Sequence, residues 1–208
     1  MKILNNKQDA IQELRRISNR TNSENNNQIN AIVEEILQEV KTHGDIAVEK
    51  YTKKFDGFNP NPMQVSASDL KDAWDEIDGN LKRSLELAHK RIKKFHEKEI
   101  PSSFTLKGEH GDIVQRSWKP VKNAGIYIPG GRAAYPSTVL MNAIPAKVAG
   151  VDEIIMVSPG NKEGKINKTV LAAAHLSGIN KVFRIGGAQA IGALAFGCLL
   201  YTSPSPRD

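Results

Sequence analysis

The sequence predicts an α/β protein in which a helical N-terminal stretch leads into a short parallel sheet flanked by helices. Two observations carry that reading. Residues 1–100 hold apolar side chains at three- and four-residue steps, the spacing of one helix face. Beyond Pro120 charge thins, and compact apolar runs at Ala124–Ile128, Glu153–Val157 and Lys181–Ile185 are each followed by a helical pattern. Runs that are apolar throughout, without alternation, belong to strands covered on both faces, which is the condition of a parallel sheet.

The elements follow in order. From Gln28 to His43 the stripe Ile29, Ile32, Val33, Ile36, Leu37 and Val40 defines a helix that Gly44 ends, with Asn25-Asn26-Asn27 read as a polar linker before it. Asp45 is placed to cap a second helix through Ile46, Val48, Tyr51 and Phe55. Asp56-Gly57 and Asn59-Pro60-Asn61-Pro62 then break the chain. A third helix carries Leu70, Ala73, Trp74 and Ile77, and a fourth carries Leu81, Leu85, Ala88, Ile92 and Phe95. Phe104–Leu106 and Ile113–Trp118 around Gly108-Glu109-His110-Gly111-Asp112 form a hairpin. The three apolar runs alternate with helices at about Ser137–Ala149, Lys168–Leu176 and Ala188–Phe196. Gly150 and Gly178 terminate the first two of these, and Pro145 is expected to kink or break the first. Strand, helix, strand, helix, strand, helix is the order of a doubly wound, Rossmann-like domain. The organisation read here is a helical arm over 1–100, an incomplete α/β domain over 101–197, and a tail over 198–208.

Composition narrows the function classes. The 208 residues carry 29 Lys and Arg against 23 Asp and Glu, a formal charge of +6. Lys82, Arg83, Lys90, Arg91, Lys93 and Lys94 interleave with Glu86, Glu97 and Glu99, so the basic excess reads as a solvated helix face and no nucleic acid partner is expected. No stretch reaches the roughly 18 to 20 apolar residues of a membrane span, and Met1-Lys2-Ile3-Leu4-Asn5-Asn6 turns polar too early for a signal peptide. The expectation is a cytoplasmic protein with no membrane association. Cys198, the only cysteine, leaves no internal disulfide and no cysteine-based zinc site.

Chemistry is expected beyond the carboxyl ends of parallel strands, where helix N-termini and free amides gather. Tyr127-Ile128-Pro129-Gly130-Gly131-Arg132 leaves the first strand, and Gly186-Gly187-Ala188-Gln189-Ala190 leaves the third while opening a helix. Paired glycines let a phosphate approach the backbone. By spacing alone, however, neither segment matches the dinucleotide fingerprint G-x-G-x-x-G, and plain strand-to-helix connections are the stronger reading. Gln189, in the first turn of a helix, can donate and accept toward a ribose or a carboxamide, or simply face water. His43, His89, His96, His110 and His175 make no ligand pair. Asp112, Asp152 and Glu153 make no acid and base pair. Among these residues no catalytic group and no metal ligand is assigned.

Longer blocks are more specific. Gly125-Ile126-Tyr127-Ile128-Pro129-Gly130-Gly131, continuing through Ala134-Tyr135-Pro136-Ser137-Thr138-Val139 to Lys147-Val148-Ala149-Gly150, resembles the histidinol dehydrogenase family. So do Arg184-Ile185-Gly186-Gly187-Ala188-Gln189-Ala190-Ile191-Gly192, Tyr51-Thr52-Lys53-Lys54-Phe55-Asp56-Gly57 and Arg91-Ile92-Lys93-Lys94-Phe95-His96-Glu97. The likeness runs from about residue 10 to Gly197, about the first half of a family member. It implies an architecture like that of aldehyde dehydrogenases. It also implies a cytoplasmic homodimer that uses NAD and zinc to oxidise L-histidinol to L-histidine through an aldehyde, the last step of histidine biosynthesis. Tyr127 and Gln189 match positions that bind NAD in that family. Its zinc ligands, its Glu-His acid and base pair and most substrate contacts correspond to positions beyond Gly197, so the chain itself is expected to be inactive. The stretch from Cys198 to Asp208, aperiodic and holding two prolines, resembles translated sequencing-adapter sequence and is expected to be foreign to the natural protein. The competing expectations are another NAD(P)-dependent dehydrogenase of similar architecture and a basic, non-catalytic module that binds RNA or protein.

Overall fold

The structure, a computed structural model, describes residues 6–18, 24–130 and 134–198. The first five residues, Gly131-Arg132 and the tail from Leu199 to Asp208 lie outside the described residues.

Five helices come first: α1 (Lys7–Ser18), α2 (Glu24–His43), α3 (Asp45–Asp56), α4 (Ala67–Glu76) and α5 (Gly79–His96). The hairpin β1 (Phe104–Lys107) and β2 (Ile113–Arg116) follows. After it come β3 (Asn123–Tyr127), α6 (Pro136–Ala149), β4 (Glu153–Val157), α7 (Lys168–Leu176), β5 (Lys181–Phe183) and α8 (Gly187–Phe196). Strands β3, β4 and β5 form a parallel sheet in that order, with Tyr127 opposite Val157 and Val157 opposite Phe183. The α/β class and every predicted strand and helix of the sheet region are present.

Alternation along each strand separates two hydrophobic layers. Ile126, Ile128, Ile154, Met156 and Val182 point to one face, where α4, α5, α6 and α7 supply Leu70, Leu85, Leu140 and Val170. Ile155, Val157 and Phe183 point to the other, against Ile36 and Val40 of α2, Val48 and Tyr51 of α3, and Ala190 and Ala193 of α8. Helices α6 and α7 thus lie on one side of the sheet and α8 on the other. The helices of the first hundred residues complete both layers.

Several details depart from the sequence reading. Asn25-Asn26-Asn27 belongs to α2, and α1, which buries none of its residues, was not expected. Asp45 does not cap α3: it is the helix's first residue, and Gly44 at φ 55° takes the cap position without a side-chain bond. The buried side of α3 is Ala47, Val48, Tyr51 and Thr52, which leaves Ile46 and Phe55 exposed. Pro145 does not interrupt α6, which continues through it to Ala149 and closes at the C-cap Gly150, where φ is 91°. A further segment, not read from the sequence, lies along β5. Val65 donates to the Val182 carbonyl (2.8 Å) and Arg184 donates to the Met63 carbonyl (2.9 Å), laying Met63–Val65 antiparallel along it.

Three features were read correctly. Gly178 closes α7 at φ 68°. Arg83, Lys90, Arg91, Lys93 and Lys94 of α5 are exposed, around a buried Leu85, while Lys82 lies half-buried over Trp74. The hairpin is present and antiparallel, with Phe104 opposite Arg116, but every residue of both strands is exposed. Among the described residues no helix is long and apolar enough to cross a membrane.

Candidate functional site

The carboxyl ends of β3, β4 and β5 converge on Pro159. A Cβ on Gly130 would lie 2.5 Å from the Pro159 ring and 3.0 Å from its carbonyl oxygen, and one on Gly186 would lie 2.5 Å from Pro159 Cβ. Both glycines are therefore required by chain packing against chain. At these two positions packing alone accounts for glycine, in line with the stronger reading of plain strand-to-helix connections. Sequence alone could not supply Pro159, because its neighbours are about thirty residues away on either side.

Gly187 is different. Its φ of 64° lies in the left-handed region, and its N–H, at the start of α8, donates to the Tyr127 hydroxyl at 3.2 Å. A Cβ there would fall 2.6 Å from Gln189 Oε1, so the Gln189 side chain folds back beside the same amide. The last residue of β3 and the first turn of α8 thus meet at one point, and the two sequence-predicted site residues, Tyr127 and Gln189, are brought together around Gly187.

The electrostatics of the point are unusual. Gln189 is 1% exposed, yet neither Nε2 nor Oε1 has a hydrogen-bond partner. Buried side-chain amides are normally satisfied, so an orphaned donor and acceptor together are the arrangement a ligand amide or ribose would complete. The N–H groups at the start of α8 add positive potential beside it. On the other face of the sheet tips a cavity of about 260 Å³ is lined by Gly130, Ser158, Asn161, Lys165 and Asn167, the last capping α7 through the Thr169 N–H.

The remaining candidates disperse. His43 ends α2, 3.9 Å from Glu39, while His96 pairs with Glu99 and His175 stacks near Trp74 at 6.3 Å. Burial holds the His89 imidazole below its ordinary pKa, with Lys93 adding to the shift. Glu153 pairs with Lys181 at 2.7 Å, and Asp112 lies in the hairpin turn. No group of three or more His, Cys, Asp or Glu able to hold a metal occurs among the described residues. Zinc therefore has no donor set of this kind among the described residues. Cys198, half-buried against Val40, has its thiol pushed up by burial.

The family model for histidinol dehydrogenase matches residues 19–203. The chain belongs to the histidinol dehydrogenase family. It is 88% identical over 197 residues to a histidinol dehydrogenase of Prochlorococcus marinus (strain MIT 9312), covering 95% of this chain and 45% of that protein. It is 52% identical over 167 residues to one from Aquifex aeolicus (strain VF5), covering 79% of this chain and 38% of that protein. The crystal structure of histidinol dehydrogenase from Elizabethkingia anophelis superposes with a TM-score of 0.78 at 35% identity, over 85% of this chain and 40% of that one. The chain spans about half the length of the curated family members it matches.

Proposed function

We propose that this chain is one part of a cytoplasmic, homodimeric, zinc-requiring enzyme that oxidises L-histidinol to L-histidine, and that Tyr127 and Gln189 hold its NAD. The observation that supports the cofactor reading is the Gln189 amide, buried and unpartnered beside the first N–H of α8 and next to the Tyr127 hydroxyl. NAD, when bound, supplies the hydride acceptor. The residues of this chain orient it: the amide of Gln189 offers a matched donor and acceptor, Tyr127 supplies a hydroxyl that can both give and take a hydrogen bond, and the α8 amides favour a negative or carbonyl oxygen.

The described residues do not fit zinc, so no step through a metal is drawn on them. The groups that polarise the substrate hydroxyl and take its proton are assigned to the part of the family's length that this chain does not span. Cofactor contacts without a base or metal ion leave the proton-transfer part of the barrier untouched, and the isolated chain is proposed to be inactive.

The test places Gln189→Ala and Tyr127→Phe in a full-length family member carrying this stretch. Calorimetric titration with NAD should show affinity falling by about tenfold for the glutamine variant, roughly 1.4 kcal/mol. Unchanged affinity, with unchanged KM for NAD and unchanged turnover, would remove Gln189 from the site.

A further inference from the structure

Arg184 stands between the end of β5 and the turn Gly186-Gly187, and it touches two segments that are remote in sequence. Its backbone N–H donates to the Met63 carbonyl (2.9 Å), and its guanidinium Nε donates to the Pro62 carbonyl (2.8 Å). Nη1 donates to the Gly164 carbonyl at 3.4 Å. A guanidinium is a planar fork whose donors keep fixed directions, so two acceptors bonded to it are held at a set separation. The half-buried side chain therefore ties the segment along β5 to the loop between β4 and α7.

That loop is stiff. The Gly164 N–H donates to the Asn161 carbonyl (2.8 Å), and the Asn161 N–H donates to the Lys165 carbonyl (2.9 Å). Asn161 Oδ1 accepts from the amides of Glu163 (3.0 Å) and Lys165 (2.9 Å). Phe58 fills one side: a Cβ on Gly164, where φ is 73°, would fall 2.8 Å from its ring, and one on Gly160 would fall 2.9 Å from Gly164 itself. Backbone so cross-bonded moves as a unit. Its N-terminal end is Pro159, the residue on which Gly130 and Gly186 both pack. A shift of Gly164 thus shifts the wedge between the turn that follows Tyr127 and the turn that opens onto Gln189.

Arg184 itself makes no contact at that meeting point. It lines, with Val65, Asp72 and Leu171, a cleft of about 490 Å³ that includes neither Tyr127 nor Gln189.

We propose that Arg184 is a positioning residue: by holding the Pro62 and Gly164 carbonyls it fixes Pro159, and through Pro159 it sets the two glycine turns that place the Tyr127 hydroxyl and the Gln189 amide. The consequence for NAD rests on the cofactor reading above; the consequence for the turns does not.

The test places Arg184→Met and Arg184→Lys in a full-length family member carrying this stretch, with Gln189→Ala beside them. Amide hydrogen exchange at Gly187, whose N–H is bonded to Tyr127, should quicken about tenfold in Arg184→Met with no matching change at Met156 in β4. The KM for NAD should rise about fivefold while turnover at saturating NAD stays within about twofold, the pattern of lost cofactor binding without lost chemistry. Lysine keeps a donor but not the fork, so Arg184→Lys should recover part of both effects, and it carries the comparison with the parent if the methionine variant does not fold. A lowered thermal midpoint with Gly187 exchange and the KM for NAD unmoved makes Arg184 a stability clasp only and overturns the proposal. If Gln189→Ala weakens NAD binding and the Arg184 variants do not, the proposal fails and the cofactor reading stands. If Gly187 quickens in Arg184→Met while NAD binding is untouched by any of the substitutions, the hold on the turns is supported and the cofactor reading fails.

Discussion

A primary amide shut away from water with neither its donor nor its acceptor used costs about 1–3 kcal/mol, and Gln189 leaves both atoms in that state. Replacing it by a side chain of similar length that asks for no partner should therefore strengthen the fold. Gln189→Met is expected to raise unfolding stability by about 1–2 kcal/mol in urea titrations of this chain while weakening NAD binding in the full-length protein. A loss of stability would show that the amide is satisfied within the chain. Asp56 presents a second conflict. It ends α3, where the helix dipole disfavours an anion, and one carboxylate oxygen is buried without a partner, so burial pushes its pKa up. Because the fold binds this proton more tightly than the unfolded chain does, the stabilisation from protonation is full at low pH and is lost as pH rises through the raised value. Asp56→Asn should consequently raise unfolding stability at pH 7, by at most about 1 kcal/mol since the group is partly solvated, and the advantage should vanish near pH 3. A constant advantage across that range would rule out the titration as its cause. The sequence shows where Gln189 stands relative to a helix start, but burial of its amide comes from tertiary packing around α8, and no local pattern records that.

Elements differ in how they are held. Strands β3, β4 and β5 were legible because both faces are covered, and coverage on both faces forces continuous apolar runs. The hairpin was legible from its turn residues alone. Met63–Val65 was not, since its bonds are to Val182 and Arg184, far along the chain, and the surrounding Asn-Pro repeats read only as a break. Helix α1 escaped notice for a related reason: Ile11, Leu14 and Ile17 sit at helical spacing, but the helix buries no residue, so nothing in the packing supports it. A two-stranded ribbon or a lone helix without a covering layer is marginal in water. Amides of α1 and of β1–β2 are accordingly expected to exchange with free energies near zero, and those of β4 to exchange last. Deleting residues 1–18 should leave the thermal midpoint within about 2 °C of the parent. A larger drop would mean that α1 covers something in solution.

At the scale of the whole molecule, the change in sequence character near residue 100 does not coincide with a boundary in the packing. Leu70 and Leu85, from the first hundred residues, share a layer with Met156 and Val182, and Val48 and Tyr51 share the opposite layer with Val157 and Phe183. Strand β4 contributes to both layers, and α6, α7 and α8 share the covering of its faces with the helices of the first hundred residues. If the helices of residues 1–100 left, the strands would expose apolar side chains on both sides at about 25 cal/mol per Å², a loss far larger than a marginal fold can absorb. The two stretches should therefore unfold in one transition. Leu70→Ala, which empties a nearly inaccessible site on α4, is expected to cost about 2–5 kcal/mol. The informative readout is β4 rather than α4: if opening is global, the slowest amides of Ile155, Met156 and Val157 must speed up by the free energy the substitution removes, although none of them belongs to the altered helix. Were those amides unmoved while α4 and α5 opened early, the helices would be a separately folding arm, and the sheet would be finding its cover elsewhere.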